Sequence, residues 1–364
     1  MRQSTLKTFA YGHDFGNSEI NGILIGQGWH QERQIPSVFA PGTWREVETF
    51  AGSLGKSVQD YLHFGHYVLS YVNERDQLIE KYLGQKVFDD GIAPSTTRAD
   101  QERYWRNHYS LEALMVGSAS CVQEQSYGLH VVTGLPVHLY TPEHARQVEA
   151  ALLGSHVFTL NGQERAMVVQ SVKVVAEGAG ALIAYGSNDP AIVDGVIDIG
   201  GETTDLYGAR GQRPIRAMCD GLSRGVAAAA DLFNQKFREN YGRALSLSMC
   251  MQLLRQYASR VAFTEVRDAQ RRVIQVTDLA QLIENALATV GQEIATFVAQ
   301  KWKEQQFEMQ RALIVGGGAY YFTRSIIERL PFARTVPRPE MANALGYATL
   351  AEAILTRARR EAAG

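Results

Sequence analysis

The segment at residues 196–209, VIDIGGETTDLYGA, constrains the fold of this 364-residue chain more than any other. An apolar run reaches Asp198, two glycines follow, and two threonines and a second apolar run come next. This pattern predicts a β-hairpin with a glycine and hydroxyl tip. Such a tip lets backbone N–H groups approach an anion, and an aspartate at the strand end can hold hydrated Mg²⁺ beside it. An ordinary Gly-Gly hairpin with a solvated acidic flank fits this segment equally well.

A second hairpin of the same type is predicted near the N-terminus, at residues 9–25, FAYGHDFGNSEINGILI. Asp14 is followed by Gly16, Asn17 and Ser18, as Asp198 is followed by glycines and hydroxyls. Two Asp-x-Gly hairpins indicate two related halves that grip one polyphosphate, and this repetition favours the phosphate interpretation. The DFG triplet of protein kinases is a poor alternative, because no HRD-type sequence accompanies it.

A third element, residues 311–322 with the sequence RALIVGGGAYYF, joins an apolar strand to a helix through Gly316, Gly317 and Gly318. Glycines at the carboxyl end of a strand leave room for a flat ligand over the backbone. A tight strand-to-helix turn without a ligand explains three glycines equally well.

Taken together, these motifs resemble those of the actin-like ATPase superfamily. DFGNS resembles its first phosphate motif, VIDIGGETTDL its second and LIVGGGAYYF its adenosine motif. KVVAEGAGALIAYG (173–186) and ANALGYATLAEA (342–353) resemble the two interdomain connectors, and the order along the chain is the family's. IPSVFA (35–40) and VVTGLPV (131–137) make the ParM/StbA type of plasmid-segregation actin the most similar branch.

The resemblance implies an α/β fold, an actin-like (ribonuclease H-like) two-domain ATPase with mixed five-stranded sheets and a nucleotide cleft between the domains. Domain I is expected at residues 1–177 plus 345–364, with an inserted subdomain at about 41–110. Domain II is expected at residues 178–344, with an inserted subdomain at about 222–300.

It also implies ATP or GTP as the bound nucleotide, with Mg²⁺ held by Asp14 and Asp198. Glu177 matches the residue that positions the hydrolytic water, although an acid at a helix N-terminus is also favoured by the helix dipole alone. The remaining expected nucleotide contacts are Gly16, Asn17, Ser18, Gly200, Gly201, Thr203, Gly221, Arg224, Gly316, Gly317, Gly318 and Ala319.

Two residues of the second hairpin leave questions open. Glu202 stands where many relatives have a small residue, and a carboxylate aimed at phosphates would repel them, so its side chain is expected to point away. Asp205 matches an acidic position of the motif and could instead hold the hairpin.

Composition narrows the class of protein. The net charge of −2 leaves no electrostatic footprint for direct nucleic-acid binding. The three cysteines have no metal spacing and indicate buried thiols in a reducing compartment. No signal-type or membrane-spanning apolar run occurs, which favours a cytoplasmic protein.

The pattern of local structure is also predictable. We expect strands in the first forty residues and helical pieces such as 71–82 in the charged stretch that follows. A helix capped by Thr141 and a long amphipathic helix over residues 277–303 are expected further on. The basic RARR end of the last helix is better explained by the helix dipole than by a membrane surface.

The favoured function is a nucleotide-dependent, filament-forming ATPase that segregates DNA, with plasmid DNA as the expected cargo. Its expected partners are further copies of itself, head to tail, and a DNA-binding adaptor implied by the resemblance. A non-polymerising small-molecule kinase of the same superfamily, or a pilus or cell-division scaffold, stays open.

Overall fold

The computed structural model describes residues 6–16, 18–92 and 109–363. The chain divides into two compact units, each described here by itself. Unit 1 comprises Met1–Leu135, Leu139–Ala176 and Asn343–Gly364, and unit 2 comprises Pro136–His138 and Glu177–Ala342.

The strands are short and mostly apolar. They are β1 (Thr8–Phe15), β2 (Glu19–Gly26), β3 (Trp29–Pro36), β4 (Phe39–Pro41), β5 (His66–Val72), β6 (Leu78–Gly84), β7 (Ser126–Leu135), β8 (Gly154–Leu160), β9 (Gln163–Ala176), β10 (Val193–Ile199), β11 (Thr204–Arg210), β12 (Arg213–Pro214), β13 (Asp220–Leu222), β14 (Met309–Val315) and β15 (Ala333–Thr335).

The helices vary from one turn to seven turns. They are α1 (Trp44–Ser53), α2 (Val58–Tyr61), α3 (Gln85–Asp89), α4 (Tyr109–Ala119), α5 (Pro142–Leu152), α6 (Ala179–Tyr185), α7 (Val226–Tyr241), α8 (Leu247–Ala258), α9 (Val276–Lys301), α10 (Ala319–Arg329) and α11 (Ala342–Ala363). Thr141 caps α5 as predicted, since its hydroxyl accepts a hydrogen bond from the N–H of His144.

Unit 1 is built on a nine-stranded sheet in the order β3-β2-β1-β7-β9-β8-β5-β6-β4. The pair β1/β2 is antiparallel, whereas β1/β7 and β7/β9 are parallel. Helix α11 lies directly against β1, because an ideal Cβ on Gly12 would fall 2.3 Å from the Ala344 oxygen and 2.4 Å from the Ala348 nitrogen. Glycine is therefore required for this helix to pack on the strand.

The prediction of a helical piece at residues 71–82 is wrong. This stretch is the turn of the β5–β6 hairpin, in which Val72 pairs with Leu78. The Asn73 side-chain oxygen accepts hydrogen bonds from the N–H groups of Arg75 and Gln77, at 2.9 and 3.0 Å, and Asp76 has a positive φ of 55°. The charged residues therefore form an Asx-type turn, which competes with helix.

Unit 2 is built on the strand order β12-β11-β10-β14-β15, with β13 also paired to β11. Its pairs β10/β11, β10/β14 and β14/β15 are antiparallel, parallel and parallel. The path β3-β2-β1-β7-β9 of unit 1 has the same pattern, so both units contain one five-stranded mixed core. The α/β prediction is confirmed, and four further strands extend the sheet of unit 1 beyond the five expected.

The core of unit 2 lies between this sheet and helices α7, α9 and α10. The apolar stripe predicted for the long helix is buried, since Ile283, Val290 and Ile294 are at most 3% exposed. The indole N–H of the buried Trp302 donates to the Met218 carbonyl oxygen at 2.9 Å. Across residues 6–16, 18–92 and 109–363, no helix is both long enough and apolar enough to cross a membrane.

Candidate nucleotide-binding site

The tip of the β10–β11 hairpin is a tight turn closed by the Gly200 N–H, which donates to the Thr203 oxygen at 2.8 Å. The next two carbonyls face helix α7: Val226 N–H donates to the Gly200 oxygen at 3.3 Å, and Ala227 N–H donates to the Gly201 oxygen at 2.8 Å. Because carbonyl and N–H of one trans peptide point in opposite directions, the Gly201 N–H faces away from α7.

The hairpin tip carries backbone N–H donors that the turn itself does not use. The backbone N–H groups of Gly201 and Thr203 have no acceptor among the described residues. An ideal Cβ on Gly225 would lie 2.6 Å from both glycine carbonyl oxygens, so only glycine allows α7 to hold the turn this closely. A turn with outward N–H groups is a recurring anion-binding geometry.

The three glycines after β14 have different environments. Gly318 N–H donates to the Ile199 oxygen at 2.8 Å, and an ideal Cβ on Gly318 would lie 2.3 Å from the Ile199 Cγ2. Gly316 has φ of +80°, and its ideal Cβ would lie 2.4 Å from the same oxygen. Gly317 has no atom within 4 Å of that position. The outer two glycines thus pack the turn onto the end of β10, and the middle one lies open.

Asp198 lies at this junction. It is 9% exposed, pairs in register with Val315 on β14, and its Oδ1 is 2.6 Å from the ideal Cβ position of Gly316. The fold of unit 2 therefore brings three features together. They are the Asp198 carboxylate, the hairpin tip with the N–H groups of Gly201 and Thr203, and the glycine turn that is open at Gly317. Ala319, also expected at the site, is 1% exposed and begins α10.

Asp205 holds local structure, as the alternative interpretation had it. It is 2% exposed, and its Oδ1 accepts a hydrogen bond from the Val137 N–H at 2.8 Å and lies 3.9 Å from the His138 Nδ1. The neighbouring Asp205 carboxylate raises the pKa of His138. Gly221 fits beneath both, with its ideal Cβ position 3.0 Å from that histidine nitrogen. The segment VVTGLPV, which contains Val137, is recognisable in the sequence as a motif. Nothing in the sequence, however, indicates that Val137 contacts Asp205.

Arg224 has a partner of its own. Its Nε–H donates to the Glu293 carboxylate at 2.9 Å, and both side chains are about half exposed. The Arg224 carbonyl accepts a hydrogen bond from the Thr204 hydroxyl at 2.8 Å. The residue therefore links the hairpin to helix α9 in addition to any contact with a ligand.

Glu177 follows β9 directly and precedes the connector helix α6. The intervening Gly178 has φ of +85°, and an ideal Cβ there would lie 2.7 Å from the Tyr207 Cβ on β11. This left-handed glycine packs the turn that carries Glu177 against the second hairpin.

The first hairpin, in unit 1, has the same turn. Gly16 N–H donates to the Glu19 oxygen at 2.9 Å, as Gly200 N–H does to the oxygen three residues on. Asp14 is the second-last residue of β1 and pairs with Asn21, and Ser18 is exposed. Burial raises the pKa of Asp14 to about 7, with Asn21 opposing the shift and Glu19 adding to it. The predicted contact Asn17 lies outside the described residues.

The donor set fits Mg²⁺ bound mainly through water and phosphate. Mg²⁺ usually keeps several waters and takes one or two carboxylates, and Asp198 at the junction in unit 2 is a carboxylate of that kind. No group of three or more His, Cys, Asp or Glu side chains that could hold a metal occurs in the described parts of the chain. An all-protein metal site is therefore not found there.

Two family models match the chain. Residues 12–180 match the N-terminal domain of actin-like proteins, and residues 196–328 match the C-terminal domain of archaeal actin homologue MreB-like proteins. No curated protein matches the sequence.

Solved structures share the fold over nearly the whole chain. A 15-stranded ParM filament from Clostridium botulinum is 19% identical, with a TM-score of 0.72 over 96% of this chain and 100% of that one. An archaeal actin homolog in complex with ADP is 18% identical, with a TM-score of 0.69 over 94% and 99%. Bacillus thuringiensis ParM with ATP is 10% identical, with a TM-score of 0.68 over 96% and 100%.

Proposed function

Because the chain belongs to the actin-like superfamily, we propose that it is a nucleotide-dependent, filament-forming ATPase that acts in DNA segregation. The observation that carries the proposal is the junction in unit 2. There the free N–H groups of Gly201 and Thr203, the Asp198 carboxylate and the open Gly317 lie on connected turns. That set matches what a polyphosphate, its Mg²⁺ and a flat base require.

Each residue of the proposed site has a physical task. The N–H groups at the hairpin tip hold phosphate oxygens without a change of shape, so their dipoles are already oriented. Asp198 would hold Mg²⁺ through its water shell, and Asp14 is assigned the same role by its position in the first phosphate motif. Bound Mg²⁺ with ATP supplies a phosphoryl group and neutralises its charge. Glu177, on the turn packed by Gly178, orients the attacking water; phosphoryl transfer depends mainly on such positioning.

Self-assembly is the second part of the proposal. The matched Clostridium botulinum ParM is a filament. A head-to-tail contact uses two different surfaces of one chain and propagates without closing. We propose that nucleotide binding favours this contact, that hydrolysis weakens it, and that a DNA-binding adaptor joins the filament to a plasmid.

The proposal is tested by measuring sedimentation and phosphate release together. The full chain with Mg²⁺ and ATP should pellet above a critical concentration and release phosphate, whereas chain without nucleotide should stay in the supernatant. A parallel series with GTP identifies the preferred nucleotide. Brisk hydrolysis without a pellet at any protein concentration would instead indicate a non-polymerising, kinase-like enzyme.

The role of Glu177 is tested by Glu177→Gln, with Glu164→Gln on the exposed part of β9 as the matched control. Loss of a water-positioning group typically costs about 10²–10⁴-fold in rate. We expect Glu177→Gln to bind nucleotide and assemble normally, to release phosphate slowly and to form filaments that persist. Normal hydrolysis in this variant would exclude Glu177 from the reaction.

A further inference from the structure

The charge of this chain is unevenly distributed. Residues 236–272 contain eight Lys and Arg against three Asp and Glu, a net charge of +5, whereas the whole chain carries −2. The rest of the chain therefore carries −7. All of this segment lies in unit 2 and is described. A chain with a slightly negative net charge therefore contains a strongly basic region.

Six of the seven exposed arginines of this region define what we call the arginine surface. They are Arg243, Arg255, Arg260, Arg267, Arg271 and Arg272.

The fold brings the two ends of the segment together. Ala269 N–H donates to the oxygen of Tyr241, the last residue of α7, at 3.0 Å. This bond places the turn at residues 267–272 beside Arg243. Helix α8, whose 12 residues are about 18 Å long at 1.5 Å per residue, lies between Arg243 and Arg260 in the chain. Positive charge is thus spread along one helix length.

The turn that displays these arginines has a fixed shape. Asp268, 5% exposed, accepts hydrogen bonds from the backbone N–H groups of Gln270 and Arg272, at 2.9 and 2.8 Å, and from the Arg272 Nε–H at 2.7 Å. Arg271 at its tip has φ of +64°, and Arg260 has φ of +55°. Glycine or asparagine would take these backbone conformations with less strain.

Two of these six guanidinium groups form ion pairs with described residues. Arg267 pairs with Glu265, and Arg272 pairs with Asp268. No ion pair with any described residue involves Arg243, Arg255, Arg260 or Arg271. Within the described part of the chain, the other four guanidinium groups therefore form no ion pair.

We propose that the arginine surface binds the phosphate backbone of double-stranded DNA. Guanidinium groups match phosphate oxygens with two parallel hydrogen bonds. A length of about 18 Å corresponds to about five base-pair steps at 3.4 Å each. Contacts made only to phosphate are independent of base sequence.

The composition of the surface favours DNA over a protein partner. Its exposed large apolar side chains are Leu247 and Val261, with Val273 and Val276 just beyond, and none is aromatic. Protein interfaces concentrate aromatic anchors at their centre, whereas DNA-binding surfaces are polar and strongly positive. The surface belongs to a single chain, so the proposal does not depend on filament formation.

The test uses the full nucleotide-free chain and a fluorescent 30-base-pair duplex of arbitrary sequence, with binding followed by anisotropy at several salt concentrations. Arg243→Gln, Arg260→Asn and Arg271→Asn are combined in one variant, because asparagine suits the positive φ values. A control variant with the same charge loss combines Arg213→Gln, Arg329→Gln and Arg334→Gln, all exposed in unit 2 and outside residues 236–272. Matching thermal melts establish that both variants fold.

We expect salt-dependent binding by the wild type and the control. The arginine-surface variant should bind at least about tenfold more weakly, and its log–log salt slope should be about 2.7 smaller, at about 0.9 for each lost phosphate contact. No binding by the wild type, or equal loss in both variants, would overturn the proposal. Tighter binding to poly-glutamate than to the duplex would also overturn it. So would a variant that fails only to sediment with ATP, which would make the surface a contact between copies.

Discussion

The backbone N–H of Gly318 donates a hydrogen bond to the carbonyl oxygen of Ile199 at 2.8 Å. This bond joins the glycine turn after β14 to the start of the hairpin tip, so two motifs separated by more than a hundred residues form one surface. Ile199 contacts the turn with its side chain as well as its carbonyl, which makes the junction sensitive to a single added carbon.

Gly318→Ala is therefore expected to disturb the junction, since its Cβ would lie 2.3 Å from the Ile199 Cγ2. Overpacking of this kind costs about 1–3 kcal/mol of unfolding free energy, and nucleotide affinity should fall with it. Gly317→Ala is the matched control, because nothing lies within 4 Å of its ideal Cβ. Its stability should change by less than about 0.5 kcal/mol. Urea titrations of both variants measure the difference; equal stability would refute the packing role of Gly318.

Asp14→Asn is expected to stabilise the nucleotide-free protein at alkaline pH while weakening binding of Mg²⁺-nucleotide. Burial raises the pKa of this carboxyl from 3.8 to about 7, so the folded state holds the proton more tightly than the unfolded state. The stability contributed by the protonated group is complete below pH 4 and is lost as the pH rises through 7.

At pH 8 the variant should gain about 1–3 kcal/mol, allowing for the partial exposure of Asp14. At pH 4 it should gain little. Urea titrations at both pH values, with a fluorescent-nucleotide titration at pH 8, provide the measurement. An equal gain at the two pH values would show that the carboxyl titrates normally.

His13, the residue before Asp14, should give the opposite pH dependence of stability, with the loss of stability at acidic pH. Its fully buried ring is stacked between Tyr11 and Phe15, with centroid distances of 5.7 and 5.9 Å. Burial lowers the pKa of His13 from 6.5 to about 4, only partly offset by the backbone of Ser110. The unfolded state then binds more protons, so stability is full above pH 6.5 and is lost as the pH falls towards 4.

His13→Phe removes the titrating group. Over that pH range the variant should therefore lose about 2–3 kcal/mol less unfolding free energy than the wild type. The phenylalanine ring can replace imidazole in the aromatic stack. Thermal melts at pH 7.5 and 4.5 compare the variant with wild type, and an unchanged difference between the two pH values would contradict the assignment.

Asp194→Asn is expected to destabilise unit 2. Asp194 is 1% exposed; its Oδ1 accepts from the Arg311 Nε–H at 2.8 Å and its Oδ2 accepts from the Ser187 N–H at 2.8 Å. Breaking a buried charge pair from one side costs about 3 kcal/mol or more. Glu328→Gln is the control, since the Arg324–Glu328 pair is exposed on both sides and is worth less than about 0.5 kcal/mol. Similar melting temperatures for the two variants would exclude a structural role for the Asp194 pair.

The sequence by itself determined the two Asp-x-Gly hairpins, the strand-to-helix glycine turn and the superfamily, because each depends on short-range patterns of apolar residues, glycines and carboxylates. The tertiary structure decided that Gly317 is the open glycine, that Asp205 binds the Val137 N–H and that residues 71–82 form a hairpin. Those outcomes depend on which strands and helices meet in space, which local patterns do not specify. Charge shows the same division: composition yields only its total, whereas the bond between Ala269 and Tyr241 gathers distant arginines onto one surface.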